Sequence, residues 1–407
     1  MNSDFKKYNI NDSCDLLTGF PFKGEKYSST GIRVVRGENV TIGDLRWDTI
    51  KCWNEPFVEK EKYFLREGDI IIGMDGSRVG KNRAQIKSAD LPLLLAQRVT
   101  RLRAKEGFNQ DYLAYVIKSD SFENYVDAIK TGTSIPHISP QQIKEFSFIA
   151  PDKQKQERIA DILSSLDNKI AINRQINTIL GAIAQAIFKE WFVEFRFPGA
   201  TGEMVDSELG MIPKGWQVGK IKDLTLKIQY GLTKSASIEN VGPHFLRITD
   251  IQSGIINWEN VPYCVTDDDE FQKYRIHNYD VFVARTGAST GENVLVINPP
   301  EAVFASYLIR LQFESPQLAI YVGKLLRTNT YFEFIDSIKS GSAQPNANAQ
   351  QLTDLEIVIP NDDVLHSYFK VVDDIEKIKS EFQYQSITLA RLRDSLLPKL
   401  MSGEIEV

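Results

Sequence analysis

Several features are missing from this 407-residue chain, and their absence limits the classes of protein to which it can belong. It has three cysteines, Cys14, Cys52 and Cys264, in no Cys-x-x-Cys pair, so neither a disulfide framework nor a cysteine zinc site is predicted. Its four histidines have no metal-ligand spacing. No apolar stretch is long enough to span a bilayer, and the first residues lack the apolar core of a signal peptide. We therefore expect a cytoplasmic protein with no membrane partner.

A net positive charge is also missing. The formal charge is −6 at pH 7, whereas proteins that bind nucleic acid usually carry a basic footprint. Cations are nevertheless clustered locally, as at Arg78, Lys81, Arg83 and Lys87. Binding to DNA would depend on such patches, and the overall charge by itself favours a scaffold that binds proteins.

Complete catalytic motifs are absent too. The run from Asn298 to Glu301 is similar to an Asn-Pro-Pro-aromatic motif of amino-methyltransferases, but Glu301 cannot stack on a target base. The run from Gly76 to Asn82 is one residue short of a phosphate-binding loop, and Asn82 stands where a Ser or Thr should reach magnesium. We predict a chain without enzymatic activity or cofactor. An enzyme acting alone, built from scattered residues, is the alternative.

The strongest positive signal is an internal duplication. The run 65–80 returns as 276–291, with Asp69, Gly76 and Gly80 each repeated 211 positions later. Further matches lie 209 positions apart, and they pair Gly132, Pro136, Gln141, Gln142 and Pro151 with Gly341, Pro345, Gln350, Gln351 and Pro360. A duplicated fold presents two similar surfaces about a pseudo-two-fold axis, and this geometry suits duplex DNA.

The apolar pattern of each repeat predicts a mixed α/β (α+β) domain followed by a long helix. Strands are predicted at 70–72, 146–149, 281–283 and 355–359, and helices from about 111 to 129 and 317 to 338. Apolar residues then follow steps of three and four from Ile159 to Ile187 and from Tyr368 to Leu396. Two such heptad seams predict an intramolecular antiparallel coiled coil, with Lys169, Asn173 and Gln385 fixing its register. The predicted segments are domain 1 at 1–151, helix 1 at 152–197, linker and domain 2 at 198–360, and helix 2 at 361–407.

Four strings resemble one known family. They are Glu208–Trp216, Thr131–His137, Gln156–Ala160 after Pro151, and Leu397–Ile405. In this combination the chain resembles the specificity subunit of a type I restriction–modification system. It departs from the pattern in the second loop, 340–346, which has no histidine, and at the start of the second helix, which lacks the Gln-Glu-Arg string.

The resemblance implies that each domain is a target recognition domain reading one half of a bipartite double-stranded DNA site. The long helices would set the gap between the half-sites and dock methyltransferase subunits, two in number, while a motor-nuclease subunit would join for cleavage. The implied role is anti-phage defence. A recognition subunit of a related combined restriction–methylation enzyme and a protein-binding scaffold are the alternatives.

Polar residues on loops after the central strand of each domain are the predicted DNA contacts, because base edges are read by hydrogen-bonding side chains that enter the grooves. The candidates in the first repeat are Arg36, Ser77, Arg78, Lys81, Asn82, Arg83, Thr133, Ser134 and His137, and those in the second are Arg247, Arg285, Thr286, Ser289, Thr290, Asn293, Ser342 and Asn346. The alternatives are a hairpin with solvated charges for the loops, a plain surface turn at 131–137, and structural salt bridges for Arg36, Arg247, Arg101 and Arg310.

Overall fold

The chain forms two compact units. The computed structural model describes residues 4–56, 58–132, 136–252, 254–339 and 347–407. Unit 1 comprises the chain up to Lys169 together with Leu389–Val407, and unit 2 is Ile170–Thr388. The division falls inside the two long helices, so each unit contains a globular domain and part of both helices. Within the described ranges, no helix combines the length and the apolar character needed to cross a membrane.

The domain of unit 1 is built from short strands and helices. Its strands are β1 (Lys6–Asn9), β2 (Cys14–Thr18), β3 (Ile32–Val35), β4 (Ile42–Gly43), β5 (Cys52–Trp53), β6 (Ile70–Gly73), β7 (Arg83–Gln85), β8 (Leu93–Leu95), β9 (Val99–Ala104) and β10 (Ser147–Ala150). Its helices are α1 (Ile10–Ser13), α2 (Gln110–Lys118), α3 (Asp120–Ile129) and α4 (Pro140–Glu145), and the long helix α5 (Lys153–Phe192) follows.

The domain of unit 2 repeats this plan. Its strands are β11 (Met204–Val205), β12 (Ile212–Pro213), β13 (Gln217–Lys220), β14 (Thr225–Tyr230), β15 (His244–Leu246), β16 (Val281–Ala284), β17 (Asn293–Leu295), β18 (Ala302–Phe304), β19 (Leu308–Phe313) and β20 (Glu356–Ile359). Its helices are α6 (Asp268–Tyr274), α7 (Pro316–Leu325), α8 (Asn329–Lys339) and α9 (Ala349–Leu352), and the long helix α10 (Asp362–Ser402) follows.

A buried apolar strand lies at the centre of each domain. Every residue of β6 and of β16 is buried, as expected for strands covered on both faces. The sheet order is β2-β9-β6-β7-β4 in unit 1 and β14-β19-β16-β17 in unit 2. Parallel pairs, β3–β8 and β15–β18, flank these sheets. The mixed α/β prediction is confirmed, and the matching strand orders show that the duplication in sequence is one of fold.

Equivalent contacts recur in the two domains. The Tyr112 hydroxyl donates to the Ile149 carbonyl, and the Tyr321 hydroxyl donates to the Val358 carbonyl. Gly80 and Gly291 both have a positive φ, and a Cβ at Gly80 would lie 2.6 Å from the Val126 side chain. Gly291 meets an isoleucine in the same way. These glycines recur because both the backbone conformation and the packing exclude a side chain.

The helix predicted from about 111 to 129 is two helices, and so is the one predicted from 317 to 338. In unit 1 the break falls at Ser119, whose extended backbone leaves α2 and whose hydroxyl accepts from the Phe122 amide at the start of α3. In unit 2 Thr328 takes this place, and its hydroxyl accepts from the Tyr331 amide. Both are preferred N-cap types, a signal that the apolar periodicity conceals.

The two long helices pair antiparallel within each unit. In unit 2 the Asn173 side-chain amide donates to the Gln385 side chain at 2.8 Å, so these two predicted seam residues do meet. The predicted seam is wrong in part, because five of its apolar residues are exposed. These are Ile162, Ile183, Val371, Ile378 and Leu392. The buried stripe of α5 instead contains Leu163, Ile170, Ala184 and Phe188, because the helix packs against its domain as well as against α10.

A carboxylate on a long helix anchors each domain. In unit 1 Asp167 accepts from the Tyr115 hydroxyl at 2.8 Å and from Arg393 at 2.5 Å, with Lys118 at 3.5 Å. In unit 2 the corresponding carboxylate is Glu376, 209 positions later, which binds Lys324. Burial would raise the pKa of Asp167, but Lys118, Arg393 and Tyr115 outweigh it and hold that pKa below its ordinary value.

We predict that Asp167→Asn lowers the free energy of unfolding of unit 1 by about 1–3 kcal/mol at pH 7, because the partly buried Arg393 keeps only Asp394 of its two anions and Lys118 loses its carboxylate. A depressed folded pKa stabilises above the unfolded pKa, so the difference from wild type should shrink as the pH falls below about 4. Chemical denaturation across pH measures both effects. Asp161→Asn, at an exposed position of the same helix, is the control and should change stability by less than about 0.5 kcal/mol. Equal losses in the two variants would contradict the anchoring role.

Candidate nucleic-acid interface

The loop between β6 and β7 is fixed to the segment that follows residue 135. The Gly76 amide donates to the Pro136 carbonyl at 3.0 Å, and the Ile138 amide donates to the Met74 carbonyl at 2.9 Å. His137 pairs through its backbone with Thr131, and its Nε2 lies 3.1 Å from the Thr131 hydroxyl. Two loops that are distant in sequence are therefore held side by side, and His137 is exposed there.

An open depression beside this loop carries cations, and we call it the cationic face. It is lined by Ile42, Ser77, Arg78, Val79, Lys81, Asp127 and Lys130. The Arg78 side chain is exposed, and it has no hydrogen bond or ion pair with any residue that the structure describes. Lys81 and Lys130 each face a carboxylate, at 3.3 Å and 2.7 Å respectively. Guanidinium and ammonium groups on projecting loops can bind phosphate or the edges of bases.

Lys130 and Ile42 belong to this face although the sequence did not single them out. Lys130 follows α3, and its distance of 49 residues along the chain from the β6–β7 loop conceals the contact. Ile42 is 54% exposed on the short strand β4, which pairs with β7. An exposed apolar side chain among cations is a suitable contact for a thymine methyl group.

The structure contradicts the prediction that Arg83 reaches DNA. Its guanidinium is buried and donates to the carbonyl of Gly80, the carbonyl of Lys118 and the carboxylate of Glu123, at 2.6 to 2.9 Å. Asn82 is half-buried, and its backbone closes the loop through bonds to Gly73 and Arg78. Arg83 therefore holds the loop to the end of α2, and its guanidinium is buried rather than presented at the surface.

The corresponding loop of unit 2 has the same attachment. The Ala347 amide donates to the Arg285 carbonyl at 3.0 Å, which is the equivalent of the bond from Ile138 to Met74. The guanidinium of Arg285 lies over the Tyr230 ring, 5.0 Å from its centroid. Thr286 and Ser289 are partly exposed, and Ser289 lies 3.4 Å from Gln252. Arg285, Thr286 and Ser289 therefore lie at a surface with accessible polar atoms.

Thr290 and Asn293 were also predicted to contact DNA, but both are buried, as Arg83 is. The Thr290 hydroxyl donates to the Gly287 carbonyl. The Asn293 amide donates to the carbonyls of Gly291 and Leu326, at 3.0 and 2.7 Å. Asn293 thus performs in unit 2 the structural role of Arg83, since it ties the loop glycine to the end of a helix.

Arg36 and Arg247 each form a salt bridge but remain partly exposed, so their contact with DNA stays a prediction. Arg36 pairs with Glu38 and donates to the Thr49 carbonyl at 3.0 Å. Arg247 pairs with Asp250 at 3.0 Å. Arg101 and Arg310, in contrast, are buried, and each is bound to an aspartate. The predicted contacts Thr133, Ser134, Ser342 and Asn346 lie outside the described residues.

The profile of the type I restriction modification DNA specificity domain matches the chain twice, over residues 2–180 and 213–388. These matches cover most of the sequence. The chain belongs to this family. The resemblance seen in the sequence is thereby confirmed, and the two matched regions contain the two loops described above.

Individual specificity chains show the same relationship. The type I restriction enzyme MjaIX specificity subunit of Methanocaldococcus jannaschii is 27% identical over 370 residues, which are 84% of this chain and 81% of that protein. The HindI specificity subunit of Haemophilus influenzae is 23% identical over 370 residues, covering 72% and 77%. A crystal structure of the S subunit from M. genitalium aligns over 98% of this chain and 96% of that one, with a TM-score of 0.59. At its 16% identity, this last likeness bears on the fold alone.

Substitutions of Arg83 and Arg78, which lie five positions apart, should distinguish a structural arginine from an exposed one. We predict that Arg83→Ala lowers the free energy of unfolding by about 2–4 kcal/mol, because the carbonyls of Gly80 and Lys118 lose a buried donor. Arg78→Ala is the matched control and should change it by less than about 0.5 kcal/mol. Urea denaturation of both variants measures the difference. A stable Arg83→Ala protein would show that the loop does not need this guanidinium.

Proposed function

We propose that this specificity chain is the sequence-reading subunit of a type I restriction–modification complex and that it binds double-stranded DNA through the loops described above. The cationic face carries the proposal, since it offers an unpaired Arg78 with Lys81 and Lys130 on fixed loops. Phosphate contacts would position the loops, and contacts to base edges would supply the sequence preference. The overall charge of −6 does not oppose this role, because the cations are concentrated where the loops project.

The two domains would read different half-sites of one bipartite sequence. Their frames share equivalent hydrogen bonds, such as those from Ile138 to Met74 and from Ala347 to Arg285, whereas the exposed loop residues differ in chemistry. Ser77 and Arg78 in unit 1 correspond to Ala288 and Ser289 in unit 2, at an offset of 211. Arg285 replaces Met74. Loops that place different donors on the same frame are suited to two different base sequences, and the long helices would set the gap between them.

Catalysis would be left to partner subunits. A methyltransferase that flips an adenine out of the duplex needs its base placed, but it does not need to read the neighbouring sequence itself. Two modification subunits would dock on the long helices, and a motor-nuclease subunit would join for cleavage. Exposed apolar side chains along these helices support such docking, because apolar residues clustered at a surface mark protein interfaces. They include Ile162, Ile172, Ile179, Ile183, Val371, Ile378 and Leu392.

An exchange of domains tests this proposal. We predict that replacing residues 198–360 by the equivalent segment of another family member changes one half-site of the methylated motif and leaves the other half-site intact. The chimaera and the wild-type chain would each be expressed with the partner subunits, and the methylated motifs would be read by sequencing. The chosen ends leave α5 and α10 unaltered. Motifs with both halves changed, or a wild-type complex that methylates no bipartite motif, would refute the proposal.

Arg78 gives a finer test. We predict that Arg78→Ala weakens DNA binding by the assembled complex for all sequences alike and lowers the slope of log K against log salt by about one, because Arg78 lies among lysines that can follow a phosphate backbone. A change of preference at one base pair would instead assign Arg78 to a guanine edge, at a cost of about 1–3 kcal/mol. Arg196→Ala is the control, since this arginine is exposed and paired with Glu190. If affinity, slope and preference were all unchanged, Arg78 would be solvated surface.

A further inference from the structure

A second turn adjoins the loop in each domain. In unit 1 it is the three-residue region between β8 and β9, where Arg98 has a φ of 69° and a side chain that is 65% exposed. In unit 2 it is the region between β18 and β19, where Tyr307 is 55% exposed. The two residues correspond at the offset of 209 that relates the later parts of the repeats. Neither was among the residues predicted from sequence to contact DNA.

Each turn is bonded to the first residue of the adjoining loop. The Met74 amide donates to the Arg98 carbonyl at 2.9 Å, and the Arg285 amide donates to the Tyr307 carbonyl at 3.1 Å. These bonds are equivalent, so the frame fixes both turns beside the loops that carry the polar candidates. Because the bond uses only the backbone carbonyl, it places no requirement on the side chain at either position.

The backbone conformation of Arg98 is one that the fold alone does not favour for an arginine. Left-handed backbone is unfavourable for an arginine and is adopted readily by glycine or asparagine. Its nearest anion is Asp75, whose Oδ2 lies 3.9 Å from Nε, too far for a hydrogen bond. This exposed ion pair is too weak to offset the cost of the left-handed backbone. Strained positions of this kind are frequent where a protein holds a group ready for a ligand.

Tyr307 presents different chemistry from the same place. Its ring and hydroxyl are exposed next to Arg285, which lies over the Tyr230 ring, and Tyr230 is itself 41% exposed. An arginine donates two parallel hydrogen bonds to a guanine edge, whereas a tyrosine offers one hydroxyl and an apolar ring for a thymine methyl or a sugar. The two turns thus differ in the property by which bases are distinguished.

We propose that Arg98 and Tyr307 are matched specificity-determining residues, each contacting base edges in the half-site read by its own domain. This inference rests on the proposed function, and it adds a second reading element to each domain. Arg98 selects a base pair that offers paired acceptors, and Tyr307 selects one that offers an apolar edge. The exchange of chemistry at one structural position accounts for part of the difference between the half-sites.

The test for Arg98 uses glycine, because glycine removes the guanidinium and accepts the left-handed backbone. With the partner subunits present, Arg98→Gly should leave the melting temperature unchanged or raise it. It should weaken binding to the cognate duplex by roughly 5- to 150-fold and make the methylated motif degenerate at one position of a single half-site. Arg196→Ala, an arginine of similar exposure at 62%, should change none of these.

Tyr307→Ala should produce the reciprocal result, with degeneracy in the other half-site only, and Tyr307→Phe should retain the preference that depends on the ring. An unchanged motif and affinity in Arg98→Gly would overturn the proposal. A uniform loss for all sequences with a smaller salt slope would overturn it in favour of phosphate contact, and loss of the partner subunits would overturn it in favour of a protein contact. A wild-type complex that methylates no bipartite motif would instead refute the proposed function, so the two failures are distinguishable.

Discussion

The structure depends on cores that the domains share with the long helices. In unit 1, Ile159, Leu163 and Leu400 of the helices pack into the cluster that contains Tyr112 and Phe146. In unit 2, residues from both helices join the cluster around Tyr321; these are Ala184, Phe188, Phe192, Leu365 and Tyr368. An isolated helix of this kind has no apolar surface to bury against, so most of its stability must come from such packing. The ion pairs of Asp167 and Glu376 also fix the position of the helices on the domains, because a hydrogen-bonded ion pair tolerates less displacement than an apolar contact does.

This shared frame explains why the two domains can differ at their loops. The side chain that ties the β6–β7 loop to a helix end is an arginine in one repeat and an asparagine in the other, yet both bind the loop glycine and a carbonyl at that end. The helix caps behave similarly, since Gln142 and Gln351 occupy equivalent positions in the capping boxes of α4 and α9. Backbone geometry is therefore maintained by a few buried or capping groups. The exposed loop positions are free to vary without a loss of core stability.

The sequence predicted the repeat, the fold class and the long helices because these depend on periodic apolar residues and on glycines at fixed offsets. It could not distinguish Arg78 from Arg83, since both are cations on one loop and only the tertiary contacts with Glu123 and Lys118 separate them. The helix breaks at Ser119 and Thr328 were missed because apolar periodicity continues through them. The partly wrong seam has the same origin, because a heptad pattern does not show that a helix also packs against a domain. In each of these cases the tertiary contacts of a residue, and not its type, determined its structural role.

The net charge of −6 is compatible with DNA binding when the local distribution of charge is considered. Carboxylates such as Asp69, Asp167 and Glu376 are buried or half-buried and bound to cations. Each bound pair adds zero to the net charge and little to the field a few ångströms away, so these carboxylates contribute little to the potential that a ligand meets. On the cationic face Lys81 and Lys130 are exposed although each is paired, and the Arg78 side chain has no partner among the described residues. The potential that a phosphate meets is set within about a Debye length, near 8 Å at physiological salt, so the local balance governs the encounter rather than the total.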